Sequence, residues 1–183
     1  ELNLADFFRL NGISYEALPI ETNDEGKENL FAGRCDVYTT DASGLSSTRA
    51  AAADPSKWLV LPEIISKEPL GPLVRHGDHQ WGDVVRWSLN AMIIAEELGV
   101  SSENVDASKS SNVPEVLRLL GVEGSYGEML ELAPDWAYQI IKQIGNYSES
   151  YEANVGPDTP LEIARGLNAL WTQGGILYAP PFR

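Results

Sequence analysis

The eight residues Arg34-Cys35-Asp36-Val37-Tyr38-Thr39-Thr40-Asp41 constrain the fold more than any other stretch. An apolar, β-prone run leaves a Gly33 turn and stops at a carboxylate. A helix-forming run, Ala42 to Ala53, follows without a spacer. This order places Asp41 at the carboxyl end of a strand and at the mouth of a helix, where open α/β sheets bind small ligands. A carboxylate there suits an ammonium group. The same pattern also describes an ordinary helix N-cap, because Asp accepts hydrogen bonds from the first free N–H groups of a helix. The residues alone leave both roles open.

Around this stretch the first third of the chain alternates in period. Leu4, Phe7, Phe8 and Leu10 mark one face of a helix that Asn11-Gly12 stops. Ser14 to Ile20 reads as a strand, Asn23 to Gly33 as a helix with acidic residues in its first turn, and Cys35 to Thr39 as the next strand. A helix over 41–54 and a short strand at Trp58 to Leu61 follow. Such alternation predicts an α/β unit with mostly parallel strands.

Between Pro62 and Pro72 the pattern breaks, with three prolines and Gly71 in 11 residues. Ile64, Ile65 and Leu70 keep this segment apolar, so it reads as an ordered connector. Leu70 to Arg75 is expected as one more strand, held to an edge by Pro72. After His76 the sequence turns helical. Asp78 opens a long helix that Gly99 ends, with Trp81, Val84, Val85, Leu89, Met92 and Ile93 at helical spacing. Shorter helices are expected at 114–120 and 126–132, then a long one at 134–151 and another at 160–172, with Pro160 in its first turn. The aromatic residues of these helices, such as Trp136 and Tyr147, recur at core-packing spacing. Asn146-Tyr147-Ser148 matches a glycosylation sequon but lies within a helical pattern, and is taken as coincidence.

Composition excludes several functions. The 183 residues carry a formal net charge of −14. Residues 1–69 hold 6 basic and 12 acidic side chains, and the remainder 7 and 15, so neither half has a basic face. Nucleic acid and anionic membrane surfaces are therefore poor partners. No apolar run reaches the ~18 residues of a spanning helix, and direct membrane insertion is not expected. The two histidines, His76 and His79, flank a Gly77-Asp78 turn without further ligands, so no metal and no cofactor is expected. Cys35 has no partner in the chain for a disulfide. The chain opens on Glu1 rather than Met, and a helix without a preceding strand is unusual for a βαβ unit, which together predict missing upstream sequence.

The residues resemble a known family across the whole chain. The stretches that carry the likeness are Glu1-Leu2-Asn3-Leu4-Ala5-Asp6-Phe7-Phe8, 32–41, 61–72, Ala164-Arg165-Gly166-Leu167-Asn168-Ala169-Leu170-Trp171 and the ending Tyr178-Ala179-Pro180-Pro181-Phe182-Arg183. They resemble the C-terminal part of the periplasmic substrate-binding proteins of general L-amino-acid ABC transporters. The resemblance implies a type II periplasmic-binding-protein fold, an α/β architecture of two lobes that close on a ligand by hinge motion. Here the fold would be incomplete, with residues 1–65 as most of lobe two and 66–183 as the crossover, the end of lobe one and a helical extension.

The resemblance further implies an L-amino acid ligand, a membrane permease partner, a periplasmic location and no catalysis. Asp41 falls at the family position that holds the ligand's α-ammonium. Thr40 beside it, and Glu68 on the crossover, are weaker ligand candidates. The Arg and the Thr-rich loop that hold the α-carboxylate in relatives have no counterpart in this sequence. Some relatives carry a second Cys just upstream of the position of Glu1, which Cys35 would meet in a longer chain. Two alternatives compete: a ligand-sensing or docking module outside transport, and an enzyme similar to cyclohexadienyl dehydratase on the same fold, for which only Asp41 and Glu68 offer acid–base groups.

Overall fold

The computed structural model describes residues 2–67 and 69–182. The chain divides into two compact units, Glu1–Gly71 and Pro72–Arg183.

In the first unit, each helix starts where a short polar side chain meets the orphan N–H groups of a first turn. Helix α1 spans Leu2–Leu10. Helix α2, Asn23–Phe31, is capped by Thr22, whose hydroxyl accepts from the Glu25 N–H at 3.2 Å. Helix α3, Ala42–Ala50, is capped by Asp41. It ends four residues before the expected boundary at Asp54, which instead caps a separate 3-10 turn at Pro55–Lys57. Proline at that turn's first position cannot extend a helix backward, because it brings no N–H to the ladder.

The expected strands 14–20, 35–39, 58–61 and 70–75 show no ladder pairing among the described residues, where the one β-bridge joins Leu170 and Leu177. These segments run without regular secondary structure. A strand is stable only when a neighbour supplies the complementary N–H and C=O groups. Strand-like composition is present here and the neighbour is not. Helical content alone is therefore seen where an α/β sheet was expected. The consequence for packing is direct. No apolar side chain of the first unit is fully buried among the described residues, and Leu18, Val37, Leu59, Leu61 and Ile64 are exposed.

The second unit carries the hydrophobic core. Helix α4, His79–Glu97, is its axis. Asp78 caps it through the Trp81 N–H at 3.1 Å. At the other end Gly99, with φ 70°, lets Val100 N–H reach the Ala95 carbonyl and Gly99 N–H reach that of Glu96. This closing pattern needs a left-handed residue, which glycine supplies without a Cβ penalty. Helix α4 packs against α6 (Pro114–Leu119), α8 (Trp136–Ile144) and α9 (Tyr147–Asn154). The short α5, Val105–Ser108, rests on α8, and α7 spans Tyr126–Met129. Ala91, Ile94, Ala95, Leu119, Leu120 and Ile141 fill the space between them.

Two sequence expectations change here. The long helix at 134–151 is two helices, broken at Gly145 with φ 92°. Asn146 then starts α9 with a reciprocal capping box with Glu149. Asn146 is buried, and its amide also donates to the Val100 carbonyl at 2.9 Å, so the sequon side chain is committed to structure. The helix expected at 160–172 is replaced by irregular chain with 3-10 turns at Gly166–Asn168 and Trp171–Gln173. There short turn bonds such as Asn168 N–H to the Arg165 carbonyl alternate with bonds to distant backbone, Ile163 N–H to Val155 and Trp171 N–H to Leu177. The tail ends with Phe182 among Trp87, Tyr126 and Trp136, at ring separations of 5.3, 5.5 and 6.1 Å.

Candidate functional site

Asp41 sits where its sequence context puts it, at the N-cap of α3 with an extended backbone (φ −60°, ψ 151°). Its Oδ2 accepts from the Ser43 hydroxyl at 2.8 Å and from the Gly44 N–H at 3.1 Å. Its Oδ1 accepts from the Thr40 hydroxyl at 3.2 Å. These donors hold the carboxyl below its ordinary pKa, with the Ser43 hydroxyl contributing most and the Gly44 N–H next, while partial burial opposes them. Asp41 is therefore an anion at neutral pH. A carboxylate has about four acceptor positions, and three are met from within the chain.

The carboxylate belongs to a recess of about 340 Å³ between two helices. Ser43, Gly44, Ser47 and Thr48 line it from α3, and Asn23 and Lys27 from α2. Small side chains on α3 leave this space open. Tyr38, from the segment joining the helices, completes the wall and donates its hydroxyl to Asn23 Oδ1 at 3.2 Å. Gly26 on α2 makes room for that ring, because a Cβ there would lie 2.5 Å from Tyr38 Cε2.

The structure thus brings Thr40 and Asp41 together. Thr40 is turned to the Asp41 carboxylate, which makes it a positioning group in this arrangement. Glu68 lies outside the described residues. Apart from Thr40 and Asp41, the sequence reading named none of the lining residues as site residues. Ser43 had a usable signal, a hydroxyl two residues after a capping Asp. Lys27 and Asn23 had none, since they come to line the recess from a helix 14 or more residues away in the chain.

Elsewhere, Cys35 is a free, partly buried thiol. No group of His, Cys, Asp and Glu able to hold a metal ion occurs among the described residues. No described helix is long and apolar enough to cross a membrane.

No family model matches the chain. Known proteins do. A glutamate/glutamine/aspartate/asparagine-binding protein of Rhodobacter capsulatus is 53% identical over the whole chain. A general L-amino acid-binding periplasmic protein of Rhizobium johnstonii is also 53% identical over the whole chain. In both cases the chain spans 54% of the relative's length, or about half of these curated relatives. Among solved structures, an ABC transporter periplasmic binding protein from Brucella ovis with glutathione bound matches with a TM-score of 0.92 and 49% identity, over 100% of this chain and 57% of that one. The chain matches part of a periplasmic-binding-protein fold, and the relatives are named for binding and transport, not for catalysis. Over all of its residues, the chain is homologous to the periplasmic binding proteins of amino-acid ABC transporters, and it corresponds to part of their length.

Proposed function

We propose that this chain supplies the ammonium-binding side of an amino-acid cleft in the solute-binding component of an ABC importer. The observation that carries this reading is the ionised Asp41, with Oδ1 accepting one internal hydrogen bond, at the edge of a polar recess. A ligand α-ammonium has three donors and a charge to match. The names of the relatives support an amino-acid ligand. Thr40 holds the carboxylate and borders the ligand, and Glu68 is a further ligand contact on the crossover.

Affinity sets the scale of what is needed. One charge-assisted hydrogen bond contributes roughly 1.5–3 kcal/mol, whereas micromolar binding needs about 8 kcal/mol. The remaining groups, including those that hold the α-carboxylate, lie in the portion of the family that this chain does not span. On this reading residues 1–65 form most of one lobe of an α/β fold and 66–183 belong to the crossover and the other lobe. The unpaired segments at 14–20, 35–39 and 58–61 join a sheet completed by that portion. The assembled protein works in the periplasm by lobe closure and delivers its ligand to a membrane permease.

Calorimetry tests this with a panel of L-amino acids, on the chain alone and on the chain joined to the portion of a full-length relative that it does not match. Binding by the joined form, lost about tenfold or more in Asp41→Asn, is the expected result. Asn retains N-capping ability, so the variant removes charge without removing the cap.

A second reading has an observation in its favour: every hydrogen bond recorded at the Asp41 carboxylate comes from its own neighbours, as a cap requires. Unchanged affinity in Asp41→Asn would establish that reading and reject the first.

A further inference from the structure

The recess contains a charge that an ammonium contact does not use. Lys27, on α2, lines the same recess as Asp41, the cap of α3. Its ammonium lies 3.1 Å from Asp24 Oδ1, but the Asp24 side chain is 87% exposed and that of Lys27 40% exposed. A pair this well hydrated is weak and exchanges readily for another anion. One anion on α3 and one cation on α2 therefore border one polar cavity.

The chemistry this arrangement recognises follows from ligand geometry. An amino acid's α-carboxylate is attached to the same carbon as its α-ammonium, so it stays near Asp41. With the ammonium on Asp41, the α2 residues of the lining are then left for the side chain. A terminal carboxylate there would pair with Lys27 and release Asp24 to water. Asn23 lines the same wall and adds an amide donor, its Oδ1 being already engaged by the Tyr38 hydroxyl. The recess of about 340 Å³ is partly open to solvent, so a dicarboxylic amino acid can reach its lining from outside.

We propose that Lys27 is a specificity-determining residue of this recess and selects amino acids with a carboxylate side chain over their uncharged amides. The proposal rests on the reading of Asp41 as the ammonium site and adds the residue that chooses among ligands.

L-Glutamate and L-glutamine are matched in length and differ in side-chain charge, so calorimetry with both, on the joined form throughout, isolates the Lys27 contribution. Lys27→Met should weaken glutamate binding by about tenfold or more and leave glutamine within about twofold. Lys27→Arg should keep the glutamate preference, and added salt should narrow the gap in the wild type. Equal losses for both ligands in Lys27→Met, no loss for either, or a wild type that favours glutamine would each overturn the assignment. Thermal melts of the variants separate these results from misfolding, since Lys27 is part-exposed and little stability should change. The two readings fail differently. If Asp41→Asn leaves both affinities intact, the ammonium site is wrong. If Asp41→Asn abolishes binding while Lys27→Met changes nothing, only the Lys27 role is wrong. No heat from the joined form carrying the wild-type residues, with either ligand, rejects both.

Discussion

Ser43 Oγ donates to Asp41 Oδ2 at 2.8 Å, and this bond does most to keep the carboxyl ionised. The hydroxyl and the acid lie two residues apart, so the charge of the site is set within one helical turn. A group whose folded-state pKa is depressed stabilises the fold above its unfolded pKa and loses that contribution as pH falls through the folded value. Acid titration of the wild type should show stability fading below about pH 4. In Ser43→Ala this acid limb should be shallower, because the largest lowering contact is gone. Denaturant melts across that pH range measure both, and parallel limbs would remove Ser43 from the account.

Asp41 also caps α3, and the two roles separate by substitution. Asp41→Ala should cost about 1 kcal/mol of stability through the lost cap, whereas Asp41→Asn should cost only a few tenths. Urea midpoints of the two variants provide the comparison. Similar large losses in both would mean that charge, and not capping, stabilises this helix.

In the second unit Arg165 Nη2 contacts both Glu96 carboxylate oxygens, at 3.0 and 3.1 Å, with side chains 16% and 10% exposed. Its guanidinium carbon also lies 5.3 Å from the Tyr147 and Tyr151 ring centroids. This cluster ties the irregular tail to α4. Truncating one partner of a well-buried pair leaves an uncompensated charge and costs roughly 3–5 kcal/mol, so this part-exposed pair should lose about 2 kcal/mol in Glu96→Ala. The double variant Glu96→Ala/Arg165→Met should recover part of the loss. A full double-mutant cycle reads the coupling, and strict additivity would mean that the pair adds nothing beyond its separate side chains.

Phe182 is 8% exposed, and Arg118 Nε donates to its carbonyl at 3.0 Å. Phe182→Ala empties an aromatic site between Trp87, Tyr126 and Trp136 and should cost about 3 kcal/mol. Hydrogen exchange should rise first in residues 176–182. Unchanged protection there would mean that the backbone bonds around Leu170 and Leu177 hold the tail unaided.

Gly121 ends α6 with φ 70°, and a Cβ at that position would collide with the Pro134 carbonyl oxygen and carbon. Both the left-handed backbone and the fixed backbone neighbour oppose a side chain. Gly121→Ala should therefore lose more than the ~1 kcal/mol typical of an unfavourable φ alone, read from the shift in thermal midpoint. A neutral effect would show that the 121–134 loop yields easily.

Features encoded within about four residues were legible in the chain itself. The caps at Asp41 and Asp78 and the Gly99 stop depend on N–H groups and side chains one turn apart. The stripe expected on α4 is only partly right: Ile93 is buried, but Trp81 and Leu89 are exposed and the core face is completed by Ala91, Ile94 and Ala95. The break at Gly145 was carried by a glycine and a capping Asn, yet the continuous aromatic periodicity of 134–151 concealed it. Pairing partners and facing walls are different in kind, because they depend on residues distant in the chain. The β-prone segments needed a neighbouring strand that composition cannot supply. Lys27 of α2 and the α3 side chains line one recess with Asp41, and Tyr38 fits over Gly26 at its wall. Sequence thus determined where the carboxylate stands and that it is held in place, since those bonds are local. Tertiary structure decided which residues distant in sequence, Lys27 among them, line the recess with it, because that grouping exists only in the folded chain.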